Sequence, residues 1–258
     1  MTSLVNAAFD ERRKNGLLVG YLPLGFPTVS ESVEAAVALV ENGVDVLEMG
    51  LPYSDPVMDG LVIQRATNTA LTNGFRLSQT FDAVAAIRSR VDAPVLVMTY
   101  FNPVLQYGVE EFAKNLAQAG GAGLITPDLI PDEATEWLVA AEKYDLDRVF
   151  LAAPSSSDTR LDASVTNSRG FVYAVSTMGI TGARSDVDGA ARVLVERLRS
   201  AGSTNIGVGL GISTTDQVRE VLDYADAAIV GSALVSALAE GGSQAVGELA
   251  AHLAAGKR

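Results

Sequence analysis

The chain has 258 residues with 31 acidic and 19 basic side chains, and its net charge of −12 disfavours nucleic acid and anionic membrane surfaces as partners. It contains no cysteine, and its single histidine, His252, lies near the C-terminus. This composition excludes a disulfide framework, a thiolate nucleophile, a Ser-His-Asp triad and a histidine-ligated metal site, and it leaves carboxylates, tyrosines and backbone amides for chemistry.

The N-terminal segment, residues 1–16, alternates apolar and charged residues as a surface helix does and lacks the apolar core of a signal peptide. The longest apolar stretch, Ala227 to Ala239, is too short to span a bilayer. We therefore expect a soluble protein of the cytoplasm.

Short apolar segments alternate with helical patterns along the rest of the chain. Predicted strands lie at 17–21, 46–50, 95–100, 122–128, 147–154, 171–176, 205–212 and 227–234. Predicted helices occupy 30–43, 61–73, 78–91, 108–121, 131–145, 157–170, 187–202, 213–226 and the C-terminal segment. Ser30 is predicted to cap the first of these helices, and residues 101–108 are predicted to form a loop.

Eight strand–helix units without a break in composition predict one α/β domain spanning residues 1–258, a (β/α)8 TIM barrel with an extra N-terminal helix. The alternative, an open doubly wound sheet, requires a GxGxxG turn after the first strand, and residues 20–25 read GYLPLG instead. Active sites of such barrels lie at the C-terminal ends of the strands.

The strongest candidate for chemistry is Glu48, an acid in the middle of the second strand. Strands of a parallel sheet are covered on both faces, so its carboxyl group should have a raised pKa. Asp59 follows in the loop and can reach back over the strand end, which suggests acid/base chemistry without a metal. The alternatives are that Glu48 pairs with a buried arginine and that Asp59 only caps the helix after Gly60.

Glycine-rich turns follow the last three strands, at 179–182, 209–213 and 231–232. Late-strand turns and a helix N-terminus predict a phosphate site made of backbone amides, although each turn alone could simply need glycine. Tyr173 reaches the substrate if its strand face points into the barrel, and it is a core residue otherwise. Tyr100 and Asn102 follow the third strand and are placed at the mouth of the barrel, whereas Trp137 is interpreted as a packing residue.

Residues 48–60, EMGLPYSDPVMDG, resemble the signature of the tryptophan synthase α subunit family. The resemblance covers essentially the whole chain, because TYFNPVLQYG, LITPDLIPDE, FVYAVSTMGITGAR and VGLGIS match in order. It implies a (β/α)8 barrel that cleaves indole-3-glycerol phosphate to indole and glyceraldehyde 3-phosphate.

The resemblance also implies roles for individual residues. Glu48 and Asp59 are expected to be catalytic, and Tyr173 to border the glycerol chain. The other expected substrate-binding residues are Thr181, Gly182, Gly211, Gly231 and Ser232 at the phosphate, with Tyr21, Met98, Tyr100 and Leu210 around the indole.

The partner implied by the resemblance is a β subunit that carries pyridoxal phosphate, in an α2β2 heterotetramer, and the α chain itself is expected to hold no cofactor and no metal. Asp55, Pro56, Asn102 and Pro131 are expected to face or signal to this partner, and the segment TMGITGAR is expected to be a lid. Two positions depart from the family pattern. Leu61 replaces a proline and is expected to loosen the turn behind Asp59, and Thr177 stands where some relatives have arginine.

Two other functions compete with this one. A phosphate-binding isomerase or epimerase would share the late-strand site but would need other groups at the early strand ends. A non-catalytic barrel that only activates a β partner would not need the two carboxylates, and their presence argues against it.

Overall fold

A computed structural model describes residues 3–12, 14–175, 184–209 and 211–257. Eight parallel strands pair in chain order, and the last pairs with the first to close a barrel. They are β1 (Leu17–Pro23), β2 (Val46–Gly50), β3 (Val95–Met98), β4 (Gly123–Thr126), β5 (Asp147–Ala152), β6 (Val172–Val175), β7 (Ile206–Gly209) and β8 (Ala227–Val230). The predicted (β/α)8 barrel is confirmed, and the open sheet is wrong.

Helices surround the barrel. In the described residues they are α1 (Leu4–Arg12), α2 (Val29–Glu41), α3 (Leu61–Thr72), α4 (Gln79–Arg88), α5 (Phe101–Tyr107), α6 (Val109–Gln118), α7 (Thr135–Lys143), α8 (Asp158–Asn167), α9 (Arg184–Ser200), α10 (Thr215–Leu222) and α11 (Ser232–Ala254). A 3-10 turn, Pro131–Glu133, precedes α7. None of these helices combines the length and the apolar character needed to cross a membrane.

The strands separate two apolar layers, as the alternation of side chains along a strand requires. On β2, Leu47 and Met49 pack outward against the helices, whereas Val46 lies in the barrel interior. The same alternation turns Glu48 inward. Trp137 is 1% exposed in the outer layer, which confirms that it is a packing residue.

The extra helix α1 closes the N-terminal end of the barrel. Val5 and Phe9 are buried in the interior layer, and the ring of Phe9 stacks on Phe171 with 5.6 Å between centroids. Ser3 Oγ donates a hydrogen bond of 2.6 Å to a carboxylate oxygen of Asp147, the first residue of β5. With this end closed, the opposite end of the barrel is the one available to a substrate.

The prediction of a loop at 101–108 is wrong, because residues 101–107 form α5. Pro103 is its third residue, where the missing N–H has no partner within a helix in any case. The carboxylate of Asp128 accepts the Phe101 N–H at 2.9 and 3.2 Å, which satisfies a free donor of the first turn.

The predicted cap of α2 is also wrong. The helix begins at Val29, and its N-cap is Thr28 rather than Ser30. Thr28 Oγ1 accepts the Glu31 N–H at 3.2 Å and donates to the Glu31 carboxylate at 2.7 Å. These reciprocal contacts resemble the capping box of a threonine followed three residues later by glutamate.

Candidate active site

Glu48 is the third of the five residues of β2, points into the barrel and is completely buried. Neither of its carboxylate oxygens has a hydrogen-bond partner in the part of the chain that the structure describes. The alternative of an arginine partner is therefore not supported there. Burial raises the pKa of Glu48 from 4.5 to about 8, because the charged form loses its hydration without a compensating contact. The predicted raised pKa is confirmed.

Asp59 is half-buried in the loop between β2 and α3, and burial raises its pKa to about 6. The N-cap of α3 is Gly60, which makes no side-chain cap, so the alternative role of Asp59 as a helix cap is wrong. Gln64 Nε2 donates to the Asp59 carbonyl at 2.8 Å. Leu61, where the family usually has proline, is the first residue of α3 and 68% exposed. Its effect on the turn stays a prediction.

Tyr100 joins the loop that carries Asp59 to the end of β3. Its hydroxyl accepts the Met58 N–H at 2.8 Å, one residue before Asp59. Burial is the main cause that raises the pKa of Tyr100 to about 12. The Tyr53 ring packs against the Tyr100 ring with 5.2 Å between centroids, and Asn102 Nδ2 donates to the Tyr53 hydroxyl at 3.2 Å. Tyr100 and Asn102 therefore lie beside the Asp59 loop, at the mouth as predicted.

Two residues of this region were missed in the sequence. Asp128 follows β4, and its carboxylate accepts the N–H of Phe101, the first residue of α5. Burial raises the pKa of Asp128. Tyr53 packs on Tyr100. The signal for Asp128 was an acid placed after a strand end, where it could accept backbone N–H groups. The sequence does not show that these N–H groups would belong to a helix 27 residues earlier in the chain.

Two buried tyrosines, Tyr21 on β1 and Tyr173 on β6, add phenol groups to the carboxyl groups of this site. Tyr21 on β1 stands in register with Glu48, and Tyr173 packs against the interior layer, so its strand face does point inward. Burial raises the pKa of both phenols well above the usual range. The charges of Asp59 and Glu48 add to the shift at Tyr21, and those of Glu48 and Tyr21 add to it at Tyr173. Met98 on β3 is half-buried, and it is the register partner of Gly50 on β2.

Three of the predicted phosphate-binding positions, Gly211, Gly231 and Ser232, lie among the described residues and follow β7 and β8 at the same end of the barrel. Gly211 follows β7 with a φ of +67°, and nothing lies within 4 Å of the place where a Cβ would stand. Gly231 is the N-cap of α11 and Ser232 its first residue, with no side chain capping the first turn. N–H groups of an uncapped first turn and the helix dipole favour an anion.

Gly209 has a different explanation. A Cβ there would stand 2.7 Å from the Tyr173 hydroxyl, so the glycine makes room for the tyrosine. Three predicted substrate-binding residues, Thr181, Gly182 and Leu210, lie outside the described residues. So do Thr177 and the rest of the predicted lid, TMGITGAR, up to residue 183.

The four predicted partner-facing residues also follow strand ends. Asp55 is exposed and accepts a hydrogen bond of 2.6 Å from Ser54 Oγ, and Pro56 accompanies it in the loop after β2. Asn102 is exposed on α5, after β3. Pro131 begins the 3-10 turn after β4. All four therefore lie at the same end of the barrel as the two carboxylates.

The pKa values of about 8 for Glu48 and about 6 for Asp59 place the two carboxyl groups in different protonation states at pH 7. Glu48 keeps its proton there and Asp59 is mostly ionised. A pair of carboxyl groups with separated pKa values is suited to general acid/base catalysis. The fold and the site define a (β/α)8 barrel built for acid/base chemistry on a substrate bound at the C-terminal strand ends.

Comparison with known proteins identifies a family within this class of (β/α)8 barrels. The family model described as tryptophan synthase alpha chain matches residues 7–256. A tryptophan synthase alpha chain of Leifsonia xyli subsp. xyli is 69% identical over 248 residues, 95% of each chain. That of Mycobacterium avium is 57% identical over 241 residues, 93% of this chain and 89% of its own.

Solved structures of tryptophan synthases also match the fold of this chain. A structure of Mycobacterium tuberculosis tryptophan synthase matches with a TM-score of 0.94 at 53% identity, covering 100% of this chain and 99% of that one. A tryptophan synthase complex of Pyrococcus furiosus matches with a TM-score of 0.83 at 33% identity, covering 93% of this chain and 98% of its own.

The chain belongs to the tryptophan synthase alpha chain family. The role of this family is to cleave indole-3-glycerol phosphate and to pass indole to a β subunit. Pyridoxal phosphate belongs to that β subunit, and the alpha chain family carries no cofactor. The chain is thus a lyase subunit, and the isomerase and the non-catalytic barrel are set aside.

Proposed function

We propose that this chain cleaves indole-3-glycerol phosphate to indole and glyceraldehyde 3-phosphate with Glu48 and Asp59 as its catalytic residues. It works as a single domain, residues 1–258, in an α2β2 complex with a β subunit, in the cytoplasm. The observation that carries the proposal is the buried carboxyl group of Glu48, which has no hydrogen-bond partner among the described residues and a pKa of about 8. Such a group is available as a proton donor at pH 7.

The bond between indole C3 and the glycerol chain breaks only after C3 accepts a proton, because the electrons of that bond then return to the ring. Glu48 gives its proton to C3, and the carboxylate that remains takes the proton of the glycerol hydroxyl next to the breaking bond. That hydroxyl becomes the aldehyde of glyceraldehyde 3-phosphate. Asp59, mostly ionised at pH 7, accepts a hydrogen bond from the indole N–H and stabilises the positive charge that develops on the ring.

The substrate lies across the mouth of the barrel in this proposal. Tyr21, Met98, Tyr100 and Leu210 surround the indole, and Tyr173 borders the glycerol chain. The phosphate is bound by Thr181, Gly182, Gly211, Gly231 and Ser232 through backbone amides and hydroxyl groups. Because the chain has a net charge of −12, binding by backbone N–H groups at a helix N-terminus supplies the local positive potential that the surface lacks.

The β subunit covers the same end of the barrel. Asp55, Pro56, Asn102 and Pro131 face it, and the Asp59 loop links this face to the chemistry. Asn102 contacts Tyr53, Tyr53 packs on Tyr100, and Tyr100 holds the Met58 N–H next to Asp59. A partner that moves Asn102 or Asp55 would therefore change the position of a catalytic carboxylate.

A coupled assay of the purified chain with indole-3-glycerol phosphate tests the proposal. We expect glyceraldehyde 3-phosphate to form, and to form faster when a cognate β subunit is added, because the partner orders the loops over the substrate. A folded chain that releases no product with or without the β subunit would contradict it.

A further inference from the structure

Tyr21 stands opposite Glu48 inside the barrel. The two residues are register partners on the adjacent strands β1 and β2, and both are buried. Tyr21 shares its strand face with Val19, which lies in the interior layer, as Glu48 does with Val46. The Tyr21 hydroxyl reaches beyond Glu48 towards the end of β2. A Cβ placed on Gly50 would stand only 2.2 Å from this oxygen, so the glycine is what lets the hydroxyl occupy the strand end.

An ionised Glu48 needs a hydrogen-bond donor, and none of the described residues donates to it in the structure. Both of its oxygens are buried and unpartnered among the described residues, which a protonated carboxyl group tolerates far better than an anion does. Proton transfer to the substrate turns it into that anion. A hydrogen bond formed only then would favour the transferred state, which is the requirement for catalysis.

Few polar groups face Glu48 in the part of the chain that is described. The charge of Glu48 acts on Tyr21 on β1 and on Tyr173 on β6, whereas its register partner on β3 is the apolar Leu96. The charge of Asp59, in the loop after β2, acts on Tyr21. An ionised Asp59 cannot donate. The Tyr173 hydroxyl is directed at β7, because a Cβ on Gly209 would stand 2.7 Å from it. The Tyr21 hydroxyl, in contrast, lies beside Gly50 at the end of β2, the strand that carries Glu48.

We propose that the Tyr21 hydroxyl donates a hydrogen bond to the Glu48 carboxylate once Glu48 has given up its proton, and so acts as a further catalytic residue. The inference rests on the function proposed above and adds a donor to it. Tyr21 keeps its own proton throughout, since burial and the two neighbouring carboxylates raise its pKa well above the usual range. The transferred proton comes from Glu48 alone.

The test compares Tyr21→Phe with Tyr107→Phe in the full chain. Tyr107 is the matched control, because its hydroxyl accepts a hydrogen bond of 2.9 Å from Asn115 and its ring packs among Phe81 and Phe112 in the helical layer. Glu48 is titrated by NMR in protein labelled with 13C at glutamate side chains, and its signal is assigned with Glu48→Gln. Turnover of indole-3-glycerol phosphate is measured with the cognate β subunit.

Removal of a hydrogen bond to a charged group predicts a rise of about one unit in the pKa of Glu48 and a fall of about tenfold in kcat in Tyr21→Phe. KM should change by less than about threefold, because the ring stays in place. Tyr107→Phe should match the wild type in both measurements. An unmoved Glu48 pKa, or an unchanged kcat, in Tyr21→Phe overturns the inference.

The measurements distinguish a failure of the proposed function from a failure of the role assigned to Tyr21. If the wild-type complex does not turn over the substrate, the proposed function is wrong. The titration of Glu48 needs no substrate, so it still decides whether Tyr21 stabilises the carboxylate.

Discussion

Glu48, the proposed proton donor, illustrates how a group suited to catalysis opposes the stability of the protein that holds it. In the unfolded chain its pKa is near the ordinary 4.5, whereas burial raises it to about 8 in the folded chain. Between these values the unfolded state releases the proton while the native state keeps it. Stability is therefore lost as the pH rises from about 4.5 to about 8, with a penalty on the order of 3 kcal/mol at pH 7.

Glu48→Gln should remove this pH dependence, because an amide does not titrate. We expect the variant to gain thermal stability relative to the wild type as the pH rises from 4.5 to 8, and the difference to level off outside that window. Melting curves over this range measure it. Glu220→Gln is the control for the chemical change itself, since Glu220 is exposed on α10. A flat difference between Glu48→Gln and the wild type would contradict the burial of Glu48.

Residue patterns predicted the carboxylates better than their surroundings. Glu48 could be found because an acid in a strand of a parallel sheet has few structural uses. The bond from Tyr100 to the Met58 N–H and the bond from Asp128 to the Phe101 N–H join residues 42 and 27 positions apart. Local spacing carries no information about such contacts, so the support of Asp59 was visible only in the folded chain.

At the scale of secondary-structure elements, the predictions were wrong at the starts of two helices, α2 and α5. Ser30 and Thr28 are both good N-cap residues, and the choice depends on which one finds a glutamate three positions later. Thr28 does, in Glu31. The helix α5 was missed because Asn102 and Pro103 resemble a turn, although proline is tolerated in a first helical turn.

A pair of variants tests the cap. Thr28→Ala should lower the free energy of unfolding by about 1 kcal/mol, because the Glu31 N–H loses its acceptor. Ser30→Ala should cost nothing, since Ser30 is exposed inside α2 and alanine favours a helix. Urea denaturation of both variants measures the difference. A larger loss in Ser30→Ala would reverse the assignment.

For the molecule as a whole, the chain order of eight strand–helix units was sufficient to predict the barrel, because few other topologies accommodate eight parallel strands with short connections. The role of α1 was not predicted. Its amphipathic pattern indicated a surface helix, whereas Val5 and Phe9 are buried in the interior layer. A pattern shows which face of a helix is apolar but not which surface that face covers.

Phe9→Ala should therefore destabilise the protein as a core truncation does, by about 3–5 kcal/mol, because the stacked ring of Phe171 loses its neighbour. Leu4→Ala on the same helix is the control. Leu4 is 48% exposed, so its removal should change stability by no more than about 0.5 kcal/mol. Equal and small effects in urea denaturation would show that α1 does not close the barrel end.

The central claim is that Glu48 supplies the proton that allows the carbon–carbon bond to break. Glu48→Gln keeps the shape of the side chain and removes the proton, so we expect turnover of indole-3-glycerol phosphate to be lost while the affinity for the substrate survives. Calorimetric binding and single-turnover assays with the same preparation of the variant measure both quantities. Turnover close to that of the wild type would show that another group supplies the proton.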